Sequence, residues 1–215
     1  MATGRKSWPP STSRLASPTT DVPFSFNFTR VMLCSPQTVQ STLSPKPAGS
    51  GEILTGRGIA YTFRGQTVVA QIAEVEVNRR TGHVWVKRIV VAHDCGLVIN
   101  PETLRRTVEA GTLYGLSRAL HEEVRFDTEK VTSVDWVSSP TLTHADTPES
   151  LEVVIVNGDP NPNRPDLPHY GAGETMCKPT LAAIGNAIFD ATGVRLRRVP
   201  CRNARVLAAL KTARV

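Results

Sequence analysis

Two strand patterns joined by a tight turn are the feature that most constrains what this chain can fold into. The segment TVVAQIAEVEVN (67–78) alternates apolar and polar residues towards its end. HVWVKRIVVAHD (83–94) is rich in β-branched residues, which favour strands. Between them, RRTG supplies Gly82, which can adopt a positive φ without a steric penalty. The sequence therefore predicts a β-hairpin over 67–94.

Two long helical patterns follow the hairpin. The first has Asn100 as its cap and Pro101 at its first position, and runs to about Glu123. The second begins at Pro179 and ends at Gly193. Other segments predict strands over 151–159, 194–200, around VRFD (124–127) and around SVDWV (133–137), and a short helix over 202–211. We expect an α+β fold, in which a mixed sheet with hairpins packs against two main helices.

Composition divides the chain at about residue 52. Before Glu52 the chain is rich in Ser, Thr and Pro, and its one acidic residue is Asp21. Such a segment buries too little apolar surface to offset the entropy of ordering. The sequence predicts a disordered leader over 1–52 and a domain over 53–215. An organelle transit peptide shares this composition and is the alternative for the leader.

Several functional classes lack their sequence signatures. No apolar run approaches the ~20 residues of a membrane-spanning helix, so no transmembrane segment is expected. The four cysteines have no metal-ligand spacing, which predicts reduced thiols and no metal held by protein ligands. No phosphate-binding loop is complete. His93, Asp94 and Cys95 are adjacent, but neighbours on a strand point to opposite faces, which favours a satisfied turn over a metal triad.

Basic residues raise a nucleic-acid alternative. The formal net charge is +6, and five arginines lie within 194–206. Aromatic residues make up 6% of the chain and do not interleave with these arginines, which favours a solvated surface without nucleic acid. His169 lies beside the segment discussed next, where contact with substrate is the alternative to a solvated loop histidine.

The segment GAGETM (171–176) places one carboxylate on a glycine bend before a helix. Gly171 and Gly173 would let the backbone approach a bulky ligand closely. The amides at the start of the following helix favour negative charge, so Glu174 could stay ionised there and act as a general base. A simple capping or helix-dipole role for Glu174 is the alternative.

Three blocks, in order, resemble one family over about residues 56–211. GAGETMCKPTLAAIGNAIFDATGVRLRRVP looks like the C-terminal signature of molybdopterin-binding large subunits in the xanthine dehydrogenase and aldehyde oxidase family, of the isoquinoline 1-oxidoreductase type. The hairpin, with its following DCGLVINPETLRRTVEAG turn and helix, and LEVVIVNGDPNPNRPDLPHYGAGE resemble two further blocks of that family. The resemblance implies that 53–215 is part of a molybdopterin-binding domain.

The resemblance also implies a function. Glu174 matches the catalytic base of a hydroxylase that adds a water-derived oxygen to an aldehyde or N-heterocycle carbon. Gly171, Ala172, Gly173 and Thr107 match positions at the molybdenum–molybdopterin cofactor, for which the bacterial type favours the cytosine dinucleotide form. The implied partners are the remainder of the large subunit and a subunit carrying iron–sulfur centres. The compartment stays open, with the cytoplasm favoured over the periplasm.

Departures from the family pattern support an alternative. Thr107 stands where the family usually has glutamine, Ala110 where it has glycine, and Thr175 where proline is common. The family subunit is several times longer, so we expect this chain to be a fragment of one. A catalytically inactive remnant or an interaction module that lacks most cofactor contacts is the alternative function.

Overall fold

The computed structural model describes residues 51–156, 166 and 168–213. Nearly all of the predicted leader over 1–52 lies outside the described residues, as do residues 157–159 of the predicted strand over 151–159. The division of the chain at residue 52 therefore stays a prediction.

One four-stranded mixed sheet organises the fold. Its strands are β1 (Ile53–Arg64), β2 (Thr67–Asn78), β3 (Val84–Asp94) and β4 (Ser150–Val156), in that spatial order. The first three pair antiparallel, and β4 pairs parallel to β3. The predicted hairpin is confirmed as β2 and β3, with Gly82 at φ 75° in its turn. β1 is a strand that the sequence did not predict.

Three helices follow the predicted order. α1 (Pro101–Leu120) begins at Asn100, whose side chain accepts a hydrogen bond from the Thr103 amide at 3.0 Å. α2 (Cys177–Thr192) ends at Gly193 in the left-handed conformation, as predicted. It begins two residues before Pro179, which is tolerated in the first turn because those amides have no partner within the helix. The short last helix is confirmed as α3 (Asn203–Thr212).

Glycines set how closely the helices approach the sheet and each other. A Cβ on Gly58 would lie 2.1 Å from the Ala183 carbonyl oxygen, so α2 rests directly on β1. A Cβ on Gly111 would lie 2.3 Å from Met176 Sδ. These contacts bury a core between one face of the sheet and the helices, and its largest fully buried apolar side chains are Ile89, Leu116, Met176, Ile184 and Ile188. The predicted α+β class, with a mixed sheet on two main helices, is confirmed.

Two predicted strand regions are wrong. Over 124–137 the structure has turns and a single isolated bridge between Phe126 and Val131. The side chains of Phe126, Trp136 and Val137 are 75%, 82% and 91% exposed, so this stretch leaves large apolar side chains on the surface of the described chain. Residues 194–200 are irregular as well, although they alternate in sequence.

The arginines after α2 have internal partners. Arg205 donates to Glu123 Oε1 at 2.9 Å, and Arg198 and Arg202 lie 3.4 and 3.8 Å from the same carboxylate. Arg195 stacks on a phenylalanine ring of α2. Four of the five arginines therefore stabilise the local structure, which is a more specific role than the solvated surface that we predicted.

Candidate functional site

The segment Gly171–Met176, here called the elbow, connects the end of an extended segment to α2. The sheet anchors it on both sides. Before it, the Tyr170 amide donates to Thr67 Oγ1 at 2.8 Å, and that hydroxyl donates to the Tyr170 carbonyl. After it, Gln71 Nε2 donates to the Met176 carbonyl at 2.7 Å. Thr67 and Gln71 are both buried on β2, so the elbow is held across a fixed span of that strand.

The two glycines of the elbow have no reason within the described chain to be glycine. A Cβ built on Gly171 or Gly173 meets no atom of the described residues within 4 Å. Neither has a positive φ, in contrast to Gly65 and Gly96. The glycines of the sheet and of α1 are required by close packing, whereas these two leave an open surface on which another molecule could lie directly against the backbone.

Glu174 lies on this open surface. Its side chain is 68% exposed, and its Oε1 accepts a hydrogen bond from Arg64 Nη1 at 2.6 Å. Its carbonyl accepts from the Cys177 amide at 3.3 Å, which starts the first turn of α2. The carboxylate thus has a cationic partner and lies close to the N-terminus of α2. Because the pair is exposed and the bend is open, the salt bridge does not close the site.

The other two predicted cofactor positions are Ala172, which is buried, and Thr107, which is half-buried. The side chain of Ala172 belongs to the apolar core. Thr107 lies one turn before Gly111 on α1, and its hydroxyl donates to the Thr103 carbonyl at 2.9 Å. Because Gly111 faces Met176 and Gly115 faces Thr180 further along, α1 and α2 run in the same direction. Thr107 therefore lies at the end of the α1–α2 interface that is nearer to the elbow.

His93 is an unpartnered histidine beneath the elbow. It lies opposite Val69, the β2 residue between the two anchors, and is fully buried. Neither ring nitrogen has a hydrogen-bond partner among the described residues. Burial lowers its pKa from 6.5 to about 4, so the ring is neutral at physiological pH. The prediction of a satisfied turn holds for Asp94, which accepts from the Gly96 amide at 3.1 Å, but is wrong for His93.

His169 packs against the same loop. Its ring would lie 2.7 Å from a Cβ on Gly96, and both ring nitrogens are buried without a partner among the described residues. It is held between the tip of the β1–β2 hairpin and the loop after β3, rather than solvated as expected of a loop histidine. His169 and His93 thus both border the elbow with unused hydrogen-bonding capacity.

The structure contains no alternative metal site in its described part. No group of three or more His, Cys, Asp or Glu side chains there could hold a metal ion. Cys95, Cys177 and Cys201 are free, and burial raises the pKa of each thiol, while Cys34 lies outside the described residues. Within the same residues no helix combines the length and apolarity needed to cross a bilayer.

Three residues that shape the site were not predicted from sequence: Arg64, Thr67 and Gln71. Each contacts the elbow region across about a hundred residues of chain, with separations of 110, 103 and 105. No local motif marks such partners. A polar Gln in the otherwise buried start of β2 was the one available signal, because a buried amide needs hydrogen-bond partners.

Comparison with known proteins gives this geometry a context. Residues 48–148 match the molybdopterin cofactor-binding domain. The chain is 39% identical to a subunit of the nicotinate dehydrogenase of Pseudomonas putida, over 74% of this chain and 14% of that protein. It is 32% identical to the beta subunit of the isoquinoline 1-oxidoreductase of Brevundimonas diminuta, over 76% of this chain and 19% of that one.

Solved structures agree with the sequence relatives. The aldehyde oxidoreductase from Desulfovibrio gigas superposes with a TM-score of 0.58 at 32% identity, over 67% of this chain and 15% of that one. The fold and the match over residues 48–148 therefore define a molybdopterin cofactor-binding domain. The chain belongs to the xanthine dehydrogenase and aldehyde oxidase family of molybdenum enzymes, and resembles their molybdopterin-binding subunits. It spans 14–19% of the length of the relatives named here.

Proposed function

We propose that this chain is part of a molybdenum hydroxylase large subunit, in which the elbow lies against the molybdopterin cofactor and Glu174 is the general base. The observation that carries the proposal is the open surface over Gly171 and Gly173, because nothing within the described chain explains both glycines. A ligand that packs directly on the backbone does explain them. The elbow residues therefore fit the cofactor that the family binds.

The cofactor would be held mainly by backbone. Gly171, Ala172 and Gly173 would present main-chain groups to it, and Thr107 could present its hydroxyl oxygen as an acceptor. Bound there, the molybdenum centre would supply the two-electron redox chemistry and lower the pKa of bound water. The cytosine dinucleotide form of the cofactor is part of the proposal.

Glu174 has the properties that a general base requires. Its carboxylate is exposed on the side where a cofactor would lie, and Oε2 has no hydrogen bond to any described residue. An ionised oxygen with a free lone pair can accept the proton released when a water-derived oxygen is added to a carbon. Such a base contributes about 10²- to 10⁴-fold to the rate. The substrate class would be aldehydes or N-heterocycles with an electrophilic carbon.

The proposed partners follow from the family. Relatives include proteins named as subunits, and one named as a molybdenum-binding subunit. We infer that the remainder of a large subunit completes the cofactor pocket and that a separate subunit carries iron–sulfur centres, through which electrons leave. The alternative is an inactive remnant or an interaction module, which would hold no cofactor.

Metal analysis distinguishes the two functions. The full chain is purified after expression with its proposed partner subunits, and its molybdenum and pterin contents are measured. Near-stoichiometric molybdenum and pterin are expected for an enzyme part, and their absence would support the remnant.

Substitution of the base then tests the chemistry. Glu174→Gln in the assembled enzyme should lower kcat by at least about 100-fold while the molybdenum content stays unchanged. The matched control is Glu52→Gln, because Glu52 is also an exposed carboxylate paired with an arginine, at 3.2 Å. Full turnover in the Glu174→Gln enzyme would refute the role of Glu174.

A further inference from the structure

The tip of the β1–β2 hairpin is hydrogen-bonded to residues 168–170, which lead into the elbow. The Gln66 amide donates to the Pro168 carbonyl at 3.1 Å, and Thr67 exchanges two hydrogen bonds with the Tyr170 backbone. Gly65 has a φ of 57°, and a Cβ there would lie 2.4 Å from the Pro168 oxygen. The hairpin tip and this segment are therefore in backbone contact, and the position of one fixes that of the other.

Arg64 extends from this hairpin tip to the carboxylate of Glu174. Its guanidinium carbon lies 4.5 Å from the centre of the Tyr170 ring, and Nη1 lies 2.6 Å from Glu174 Oε1. The ring supports the flat face of the guanidinium, which limits the directions in which its N–H groups can point. Arg64 thus reaches Glu174 from the end of β1, with its orientation limited by Tyr170.

The strength of this contact suits positioning better than stability. Arg64 and Glu174 are 47% and 68% exposed, and an exposed pair of this kind favours the paired state by at most about fivefold. A difference of that size adds little to the fold. It is enough, however, to favour one rotamer of an exposed side chain over the others.

We propose that Arg64 is the positioning residue of Glu174: it holds Oε1 and so presents Oε2 for proton transfer. The role rests on the function proposed above, because it has a catalytic meaning only if Glu174 is the base. It also explains why a loose surface carboxylate could serve a reaction that needs a defined geometry.

Carboxylate labelling tests the pairing in the full chain without cofactor. The chain is treated with a water-soluble carbodiimide and glycine ethyl ester, and the labelling of each glutamate is followed by mass spectrometry. Arg64→Ala should raise the labelling rate of Glu174 at least about threefold and leave Glu52 unchanged. Arg80→Ala should do the reverse, because Arg80 pairs with Glu52 at 3.2 Å. Equal labelling of Glu174 in wild type and Arg64→Ala would overturn the proposal, and Arg64→Gln serves if the alanine variant does not fold.

Kinetics of the assembled enzyme test the consequence. Arg64→Ala should lower kcat about three- to fivefold with KM within twofold, and Arg64→Lys should recover part of the loss, since an ammonium can still reach one oxygen. Unchanged kcat in Arg64→Ala would overturn the positioning role. If Glu174→Gln keeps full turnover while Arg64→Ala still changes labelling, the pairing stands but both the base and its positioning are refuted. The two failures are therefore distinguishable.

Discussion

The hydroxyl of Thr180 on α2 lies 2.8 Å from Oε1 of Gln71 on β2, and both side chains are buried. The same hydroxyl lies 2.9 Å from the Met176 carbonyl, which also accepts from Gln71 Nε2. This small buried network joins the first turn of α2 to the middle of the sheet. It therefore fixes the elbow at the point where the chain leaves it.

Thr180→Val should destabilise the chain by about 1–3 kcal/mol, because the methyl group that replaces the hydroxyl leaves Gln71 Oε1 buried without a donor. Urea unfolding followed by circular dichroism measures the change. Thr212→Val is the control: its hydroxyl also donates to a carbonyl one turn back, at 3.0 Å, but it is exposed, so the effect should stay within about 0.5 kcal/mol. Equal effects at the two sites would show that the Gln71 network adds nothing.

Two glycine substitutions should separate packing from ligand contact. Gly58→Ala should cost about 2 kcal/mol or more, because its Cβ would meet the backbone of α2 at 2.1 Å. Gly173→Ala should change the free energy of unfolding by less than about 0.5 kcal/mol, since its Cβ meets no described residue within 4 Å. In the assembled enzyme, however, we expect Gly173→Ala to lower the cofactor content. Normal molybdenum and pterin in that variant would contradict a cofactor lying on the elbow.

His93→Leu should make the free energy of unfolding less dependent on pH between pH 4 and 6.5. The folded chain takes up a proton at His93 only near pH 4, whereas an unfolded histidine does so near 6.5. The unfolded state therefore binds more protons between these values, and wild type loses stability as the pH falls from 6.5 to 4, by up to about 3 kcal/mol. The variant lacks this loss and also removes two unpartnered nitrogens.

The measurement for His93 is the free energy of unfolding between pH 4 and 7. As the pH falls, wild type should lose stability relative to His93→Leu. His144→Gln, a change at an exposed histidine, provides the reference. Parallel profiles for wild type and His93→Leu would show that His93 is not the titrating group.

Glu123→Gln should destabilise the chain at neutral pH, and this effect should disappear in acid. The hydrogen bond from Arg205, with the charges of Arg202 and Arg198, lowers the pKa of Glu123 below 4.5. Its stabilisation is therefore complete above pH 4.5 and is lost as the pH falls through its lowered pKa. Wild type should be more stable than Glu123→Gln at pH 7, and the two should converge in acid. If the difference in the free energy of unfolding between the two proteins did not depend on pH, the charge of Glu123 would not be its cause.

Local rules predicted much of the fold. The turn at Gly82, the cap at Asn100 and the left-handed Gly193 all depend on neighbouring residues, and the structure confirms all three. β1 was not predicted because Gly56 and Gly58 weaken its strand pattern. Their reason is α2, which packs on them more than a hundred residues later in the chain.

Alternation misled the prediction where other contacts compete. Residues 194–200 alternate like a strand. The chain there is instead fixed by a hydrogen bond from the Cys201 amide to the Ala119 carbonyl and by ion pairs between arginines and Glu123. The elbow was predicted as a candidate site from its glycines and carboxylate together with the family resemblance, and its cofactor role stays a prediction. Arg64 was not predicted, because a partner 110 residues away leaves no periodic signal in the sequence.

The exposed stretch that contains Phe126, Trp136 and Val137 has a practical consequence for handling the chain. Such apolar side chains in water favour self-association, since sticking to one another removes their surface from solvent. We expect light scattering to rise with concentration in the purified chain, and Trp136→Lys to reduce it. Dilute solution, or a chain that carries the Trp136→Lys substitution throughout, is the appropriate setting for the measurements above.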